Sequence, residues 1–442
     1  MRTFGASLAL ALLGFAGVAS AHGRPPALYA LHVDRRDPSH LVAQATWGFA
    51  VSRDGGASWR WSCAAALGVD PRFEDPRIVL GYEGRILAAT YDGVLVSDAD
   101  GCLWAHDEGI GDRWTIDLRR DPSAPERLFA VTTDVLDRDR LYVSEDEGRS
   151  FAPWSEPLDE VLLDALFVAP SRPARVYVSA DVPGLPAERQ TMVLRSDDGG
   201  RSFTRLPFTD LAEDERALRV RAVGALDPEV VFAVALRVVG TELDAHRLLR
   251  SEDGGATFET VLRSERLADV LVSPDGETVV TGSATGGVFR SDDAGRTFAR
   301  VNEGLPVTCL AAVAGELYAC TLEVPAGLAL ARSADGGASW EPIVRLSQID
   351  RMIECPRCSD VGATCPSWQP DVAFDLGLDG GPGVTVDPDG GLGRPRDASR
   401  PAECDGAPPP AGCACRTAAR VGGAPWGLLL ALRLRGRPRR AR

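Results

Sequence analysis

The chain has 442 residues, 45% of them apolar and 7% aromatic, which is enough to bury a large core. All 48 basic residues are arginine and face 63 acids, a net charge of −15, so the surface as a whole repels nucleic acid and anionic lipid. The absence of lysine excludes a Schiff-base nucleophile and a phosphate loop built on lysine.

The N-terminus carries Arg2, an apolar run over 8–18 and the small residues Ala19-Ser20-Ala21. This pattern predicts a secretory signal peptide over 1–21, with the mature chain starting at His22. From Ala27 the chain reads as short apolar or alternating runs punctuated by Asp-Pro, Asp-Gly and Gly-Gly, the grammar of strands and turns. The first unit predicts strands over 28–33, 41–46, 49–52 and 58–63, and the sixth over 269–273, 278–283, 287–291 and 297–301. Five of the six tyrosines, among them Tyr29, Tyr91 and Tyr318, fall in predicted strands and read as packing residues.

Ser52-Arg53-Asp54-Gly55-Gly56-Ala57-Ser58-Trp59 closes the first unit and recurs along the chain. Serine, aspartate two on, glycine four on, hydroxyl six on and aromatic seven on return from Ser144, Ser196, Ser251, Ser291 and Ser333, with aspartates Asp146, Asp198, Asp253, Asp293 and Asp335. A degenerate copy at Ser97 keeps Gly101 and Trp104, but Asp98 and Asp100 flank the expected place. Asp and Ser side chains accept backbone N–H groups across a turn, glycine takes positive φ, and the aromatic buries its ring beside the next strand. Seven units of four strands predict an all-β, seven-bladed β-propeller over 22–347.

The repeat resembles the Asp-box, or bacterial neuraminidase repeat, of sialidases, sortilin-like receptors, xyloglucanases and a thylakoid-lumen assembly factor for photosystem II. In those families the box is structural, so the resemblance implies the fold and leaves function open. A sialidase would carry a Phe/Tyr-Arg-Ile-Pro signature; here Pro76-Arg77-Ile78 is followed by Val79. The two-propeller xyloglucanases use a pair of carboxylates across a cleft. Neither a Gly-x-Ser-x-Gly elbow nor a His-Glu-x-x-His motif is present.

The loops between second and third strands are short in units one, two and six and longer in three, four, five and seven. These loops lie on the face opposite the Asp-boxes. They predict a ligand rim bearing Arg138, Asp139, Arg140, Glu188, Arg189, Glu242, Asp244 and His246.

Ten cysteines in an exported chain point to disulfides. Cys309 and Cys320 flank a strand-turn-strand and suit a cross-strand bond. Cys63 and Cys102 end units one and two and are placed to tie those blades. Cys355, Cys358, Cys365 and Cys404 supply two further pairs, the first three in a cysteine-rich cap over 348–374. Cys355-x-x-Cys358 lacks a second close pair with histidine, so no metal and no cofactor is expected.

Residues 375–411 are rich in glycine, proline and aspartate and read as a disordered linker. Over 412–442 come Gly412-Cys413-Ala414-Cys415, an apolar stretch over 421–432 and six arginines from Arg433 to Arg442. This tail resembles the MYXO-CTERM surface-sorting signal of myxobacteria. The resemblance implies a sorting protease, processing near Cys413 and Cys415, and placement at the outer surface. The apolar stretch is shorter than the roughly 20 residues that cross a bilayer, so membrane contact is expected only through a transient tail.

Together these features predict an exported, monomeric, non-catalytic propeller that binds a protein or glycan at the rim or channel mouth. The alternative is a secreted glycoside hydrolase or lyase with a carboxylate pair at that mouth.

Overall fold

The computed structural model describes residues 26–71, 74–98, 101–133, 139–182, 191–239 and 242–378. The signal segment, most of the linker and the sorting tail lie outside the described residues, as do Arg138, Glu188, Arg189, Cys404, Cys413 and Cys415.

Seven antiparallel sheets follow one another along the chain, each with its strands in sequence order. The first comprises Leu28–Val33, Leu41–Ala45, Gly48–Ser52 and Arg60–Cys63, and the sixth Leu267–Val272, Val279–Ser283, Gly287–Ser291 and Ala299–Asn302. The fourth strand therefore starts one residue after the aromatic of the turn, slightly later than the sequence suggests. The first strand of each sheet packs against the first strand of the next, and the seventh, Val307–Val313, packs back on Leu28–Val33. The result is a closed, seven-bladed β-propeller.

Second strands such as Leu41–Ala45, Ile86–Thr90, Leu128–Thr132 and Val279–Ser283 are buried at every position. A neighbouring blade presses on each of their faces, which is why small and branched apolar residues run on without alternation.

The repeated turns share one hydrogen-bond scheme. In the first, Ser52 Oγ donates to Asp54 Oδ1 (2.8 Å) and accepts the Gly56 N–H (2.8 Å), while Asp54 accepts the Ser58 N–H (2.8 Å) and hydroxyl (2.6 Å). The same bonds recur around Asp146, Asp198, Asp253, Asp293 and Asp335. The turn glycine is obligatory at Gly148, which has φ +85° and where a Cβ would stand 2.3 Å from a Leu87 methyl. These bonds depress the aspartates. Burial pushes Asp198 up, but the hydroxyls of Ser202 and Ser196 and the local N–H groups outweigh it and hold the carboxyl at about 2. In the degenerate copy the aspartate one place earlier substitutes: Asp98 Oδ1 accepts the Cys102 N–H at 2.7 Å.

The last described segment latches the ring. After a 3-10 turn at Leu346–Gln348, the strand Arg351–Met352 pairs in parallel with Arg60–Cys63 and gives the first blade a fifth strand. A helix, Asp360–Thr364, is capped by Ser359 Oγ, which accepts the Gly362 N–H, and its Asp360 accepts the Trp104 N–H at 2.7 Å. One apolar cluster joins this cap to both ends of the ring through Leu28, Trp61, Leu330, Val344, Ile349 and Val361.

Cys63 and Cys102 do not tie their blades to each other. Cys63 bonds to Cys365 and Cys102 to Cys355, because the cap lies across both blade edges. Cys309–Cys320 is the expected cross-strand bond, and Cys358 is disulfide-bonded as well. The two cap bonds span 302 and 253 residues, separations at which cross-linking removes a large share of unfolded-chain entropy.

Candidate functional site

Of the rim that the sequence suggests, the described residues Asp139, Asp244 and His246 already have side-chain partners. Asp139 is buried, and its Oδ2 accepts the Thr133 hydroxyl (2.8 Å) and the Leu163 N–H (2.9 Å) of the next blade. Arg140 opens the strand Arg140–Ser144, is partly buried, and its carbonyl accepts the Thr132 hydroxyl. The supposed loop of the fifth blade is a hairpin extension, with Val231–Val239 paired to Glu242–Ser251 and Glu242 opposite Val239. Its strands continue because Val234, Val238 and Val239 extend the run of β-branched residues. Asp244 accepts from Arg237 Nε at 2.9 Å and from the Arg266 N–H at 2.6 Å. His246 Nε2 stands 3.3 Å from Glu215, a buried carboxylate that also takes two bonds from Arg247.

The central channel is different. Its wall is made of the innermost strands of all seven blades and encloses about 330 Å³, adjoining a wider recess of about 540 Å³ on the face of the repeated turns. Three arginines reach it, Arg77 from the second blade, Arg119 from the third and Arg221 from the fifth. Arg119 is engaged: its Nε donates to Asp117 at 2.9 Å and its guanidinium lies 4.7 Å from the centre of the Phe167 ring. Burial works against its charge, but Asp117 more than restores it, and its pKa stands above the ordinary value. Arg77 and Arg221 have no hydrogen bond or ion pair among the described residues, and the buried Arg221 Nε lacks a partner. Burial, together with the like charges of Arg77 and Arg119, outweighs the attraction of Asp269 and Asp164 and lowers the Arg221 pKa.

Each channel carboxylate gives one oxygen to the ring, while the buried Asp117 Oδ1 has no hydrogen-bond partner among the described residues. Asp117 Oδ2 accepts the Leu166 N–H of the fourth blade at 2.9 Å, and Asp269 Oδ2 the Leu310 N–H of the seventh at 3.2 Å. His32 is tied to Gln44 at 2.8 Å, and burial pushes its ring down to about 4, so it is neutral near pH 7. Gln44 in turn donates to the Pro76 carbonyl. The wall thus offers unpaired guanidinium groups, a neutral imidazole and a phenyl face. Such a surface suits an anionic group, which would satisfy Arg77 and Arg221 at little cost to the existing network. Among the described residues no cluster of three or more His, Cys, Asp or Glu could hold a metal ion, and no helix is long and apolar enough to cross a membrane.

The sequence reading missed these arginines. The available signal was a charged residue between apolar neighbours in the first strand of a unit, as in Ile116-Asp117-Leu118-Arg119, Val220-Arg221-Ala222 and Ala268-Asp269-Val270. Tyr91 also departs from expectation. It occupies the turn after Ile86–Thr90 and is 42% exposed, stacked on Trp114, because its N–H is taken by Glu74 Oε1 rather than by a strand partner.

No protein-family model and no curated protein matches the chain. Among solved structures it is similar to an ancestral GH74 enzyme, at 13% identity and a TM-score of 0.51, over 72% of this chain and 46% of the enzyme. It is also similar to YCF48 from Cyanidioschyzon merolae (15% identity, TM-score 0.44, 68% of this chain and 94% of that one). A third neighbour is BamB from Moraxella catarrhalis (14%, TM-score 0.39, 66% and 82%). The chain spans about half the length of the GH74 enzyme, and identities this low speak to a shared propeller fold and not to a shared activity.

Proposed function

We propose that the protein is an exported, non-catalytic binding propeller that holds an anionic group of a glycan or protein ligand in its central channel. The observation that carries this reading is the pair of unpaired arginines, Arg77 and Arg221, in a wall whose carboxylates are bound to backbone N–H groups. A guanidinium can donate two parallel bonds to a carboxylate, and burial strengthens them. The turn geometry around the six aspartates supports membership of the Asp-box propellers. The disulfides support an oxidising destination, in keeping with the signal peptide and the MYXO-CTERM-like sorting tail. Mass analysis of the chain from the cell surface should find it starting at His22 and shortened near Cys413; an intact Met1 in the cytosol would contradict export.

The test of function is retention of acidic oligosaccharides and of peptides with free C-terminal carboxylates on the immobilised full-length protein, with mass analysis of whatever elutes. Ligand retained and released unchanged supports binding. Shortened products would overturn the reading in favour of a hydrolase or lyase.

A further inference from the structure

Tyr91 and Trp114 form the most exposed aromatic pair among the described residues, 42% and 45% accessible, with ring centroids 5.3 Å apart and planes 29° from parallel. Tyr91 lies in the turn between the second and third strands of the second blade, and Trp114 directly precedes the innermost strand Thr115–Arg120 of the third. Both therefore belong to the face opposite the repeated turns, where the innermost strands begin.

The pair is held in place. Glu74 Oε1 accepts the Tyr91 N–H at 2.6 Å, and the Trp114 carbonyl accepts the Thr133 N–H at 2.9 Å. The rings pack on each other, so each keeps an open surface at little further cost in side-chain entropy. Around them stand groups able to hydrogen-bond: the Trp114 indole N–H and the Tyr91 hydroxyl, neither partnered among the described residues, and the second oxygen of Glu74. Burial, with Asp92 and Asp75 nearby, raises the Glu74 pKa above the usual carboxylate value.

We infer that this pair is a platform for the apolar face of a neutral pyranose ring, whose hydroxyls meet the polar groups at its edge. A sugar ring has both features, a flat array of C–H groups and a fringe of hydroxyls, and an aromatic with a polar tip complements both. A quaternary ammonium calls for aromatic walls that converge into a cage, whereas these two rings lie nearly parallel. The platform rests on the reading of the protein as a binding module, but it is a separate site from the channel.

The experiment is calorimetric titration of the full-length protein with cellohexaose, xylohexaose and maltohexaose, alongside oligogalacturonate and tetramethylammonium. At least one neutral hexasaccharide should bind, weaken about tenfold in Trp114→Ala, and bind unchanged in an Arg77→Ala/Arg221→Ala double variant. Trp114→Phe keeps a stacking ring and should retain most of the affinity; Tyr91→Ala, which removes the other ring and should also weaken binding, stands in if Trp114→Ala does not fold. Neutral sugar bound equally by Trp114→Ala overturns the platform. So does tetramethylammonium binding that depends on Trp114 while no hexasaccharide binds. Oligogalacturonate binding alone overturns the platform and leaves the channel reading standing; no binding of either oligosaccharide class overturns the platform and leaves the channel reading to its own test with carboxylate-terminated peptides.

Discussion

The channel wall and the loop rim of the fifth blade draw on the same residue types, arginine, aspartate and histidine, and differ in what those residues are already doing. On the rim, Arg237 with Asp244, and Arg247 with Glu215, satisfy each other at 2.6–2.9 Å. In the channel, Arg77 and Arg221 face a cavity of about 330 Å³ with no ion pair of their own. The described charges of the fifth-blade rim are paired with one another, and under the proposed function the channel is where a ligand would find charges still to be paired.

The largest effect should come from the rim's foundations. Glu215→Ala removes the two short bonds to the Arg247 guanidinium, 7% exposed, and leaves it only Asp210 and Thr260; it should destabilise the protein by about 3–5 kcal/mol in urea denaturation, with channel affinity unchanged in the folded fraction. Loss of binding without loss of stability would break the comparison. Opening the latch with Cys63→Ser/Cys365→Ser should cost about 2–5 kcal/mol, read by the same denaturation, again sparing the channel.

Arg221→Ala should behave in the opposite way. Its buried Nε is unsatisfied, so removal should leave the melting temperature equal or higher, while affinity for an acidic oligosaccharide falls about tenfold to a hundredfold, worth about 1.5–3 kcal/mol in calorimetry. A marked loss of stability would place Arg221 among the structural charges.

The smallest effect concerns acid. The turn aspartates are held below the unfolded carboxylate value of about 3.9, Asp198 at about 2. Their contribution is present above about pH 4 and fades as pH falls through about 2, where the folded form must also take up protons. Asp198→Asn should therefore lower stability slightly at pH 7 and flatten the decline between pH 4 and 2 in acid titration followed by circular dichroism. An unchanged acid limb would assign that decline to other groups.

Much of the fold was legible in the sequence because each turn is local: Ser52, Asp54, Gly56 and Ser58 meet within seven residues, and their spacing is their geometry. The pairing of Cys63 with Cys365 was not legible, because it depends on where a cap segment 302 residues later docks. The channel was hidden for a similar reason. Arg77, Arg119 and Arg221 come from three units and share a surface only once the ring closes, and in the sequence each reads as one polar position in a strand. Loop length, which drew attention to Asp244 and His246, reports how far a hairpin extends and says nothing of whether its charges are spent.

The most direct measurement is calorimetric titration of oligogalacturonate into the full-length protein and into Arg77→Ala/Arg221→Ala, at low and high salt. Binding to the native protein should be salt-sensitive and should be lost in the double variant, which remains as stable as the parent. Equal affinity in the two proteins would contradict this and remove the channel as the receptor site.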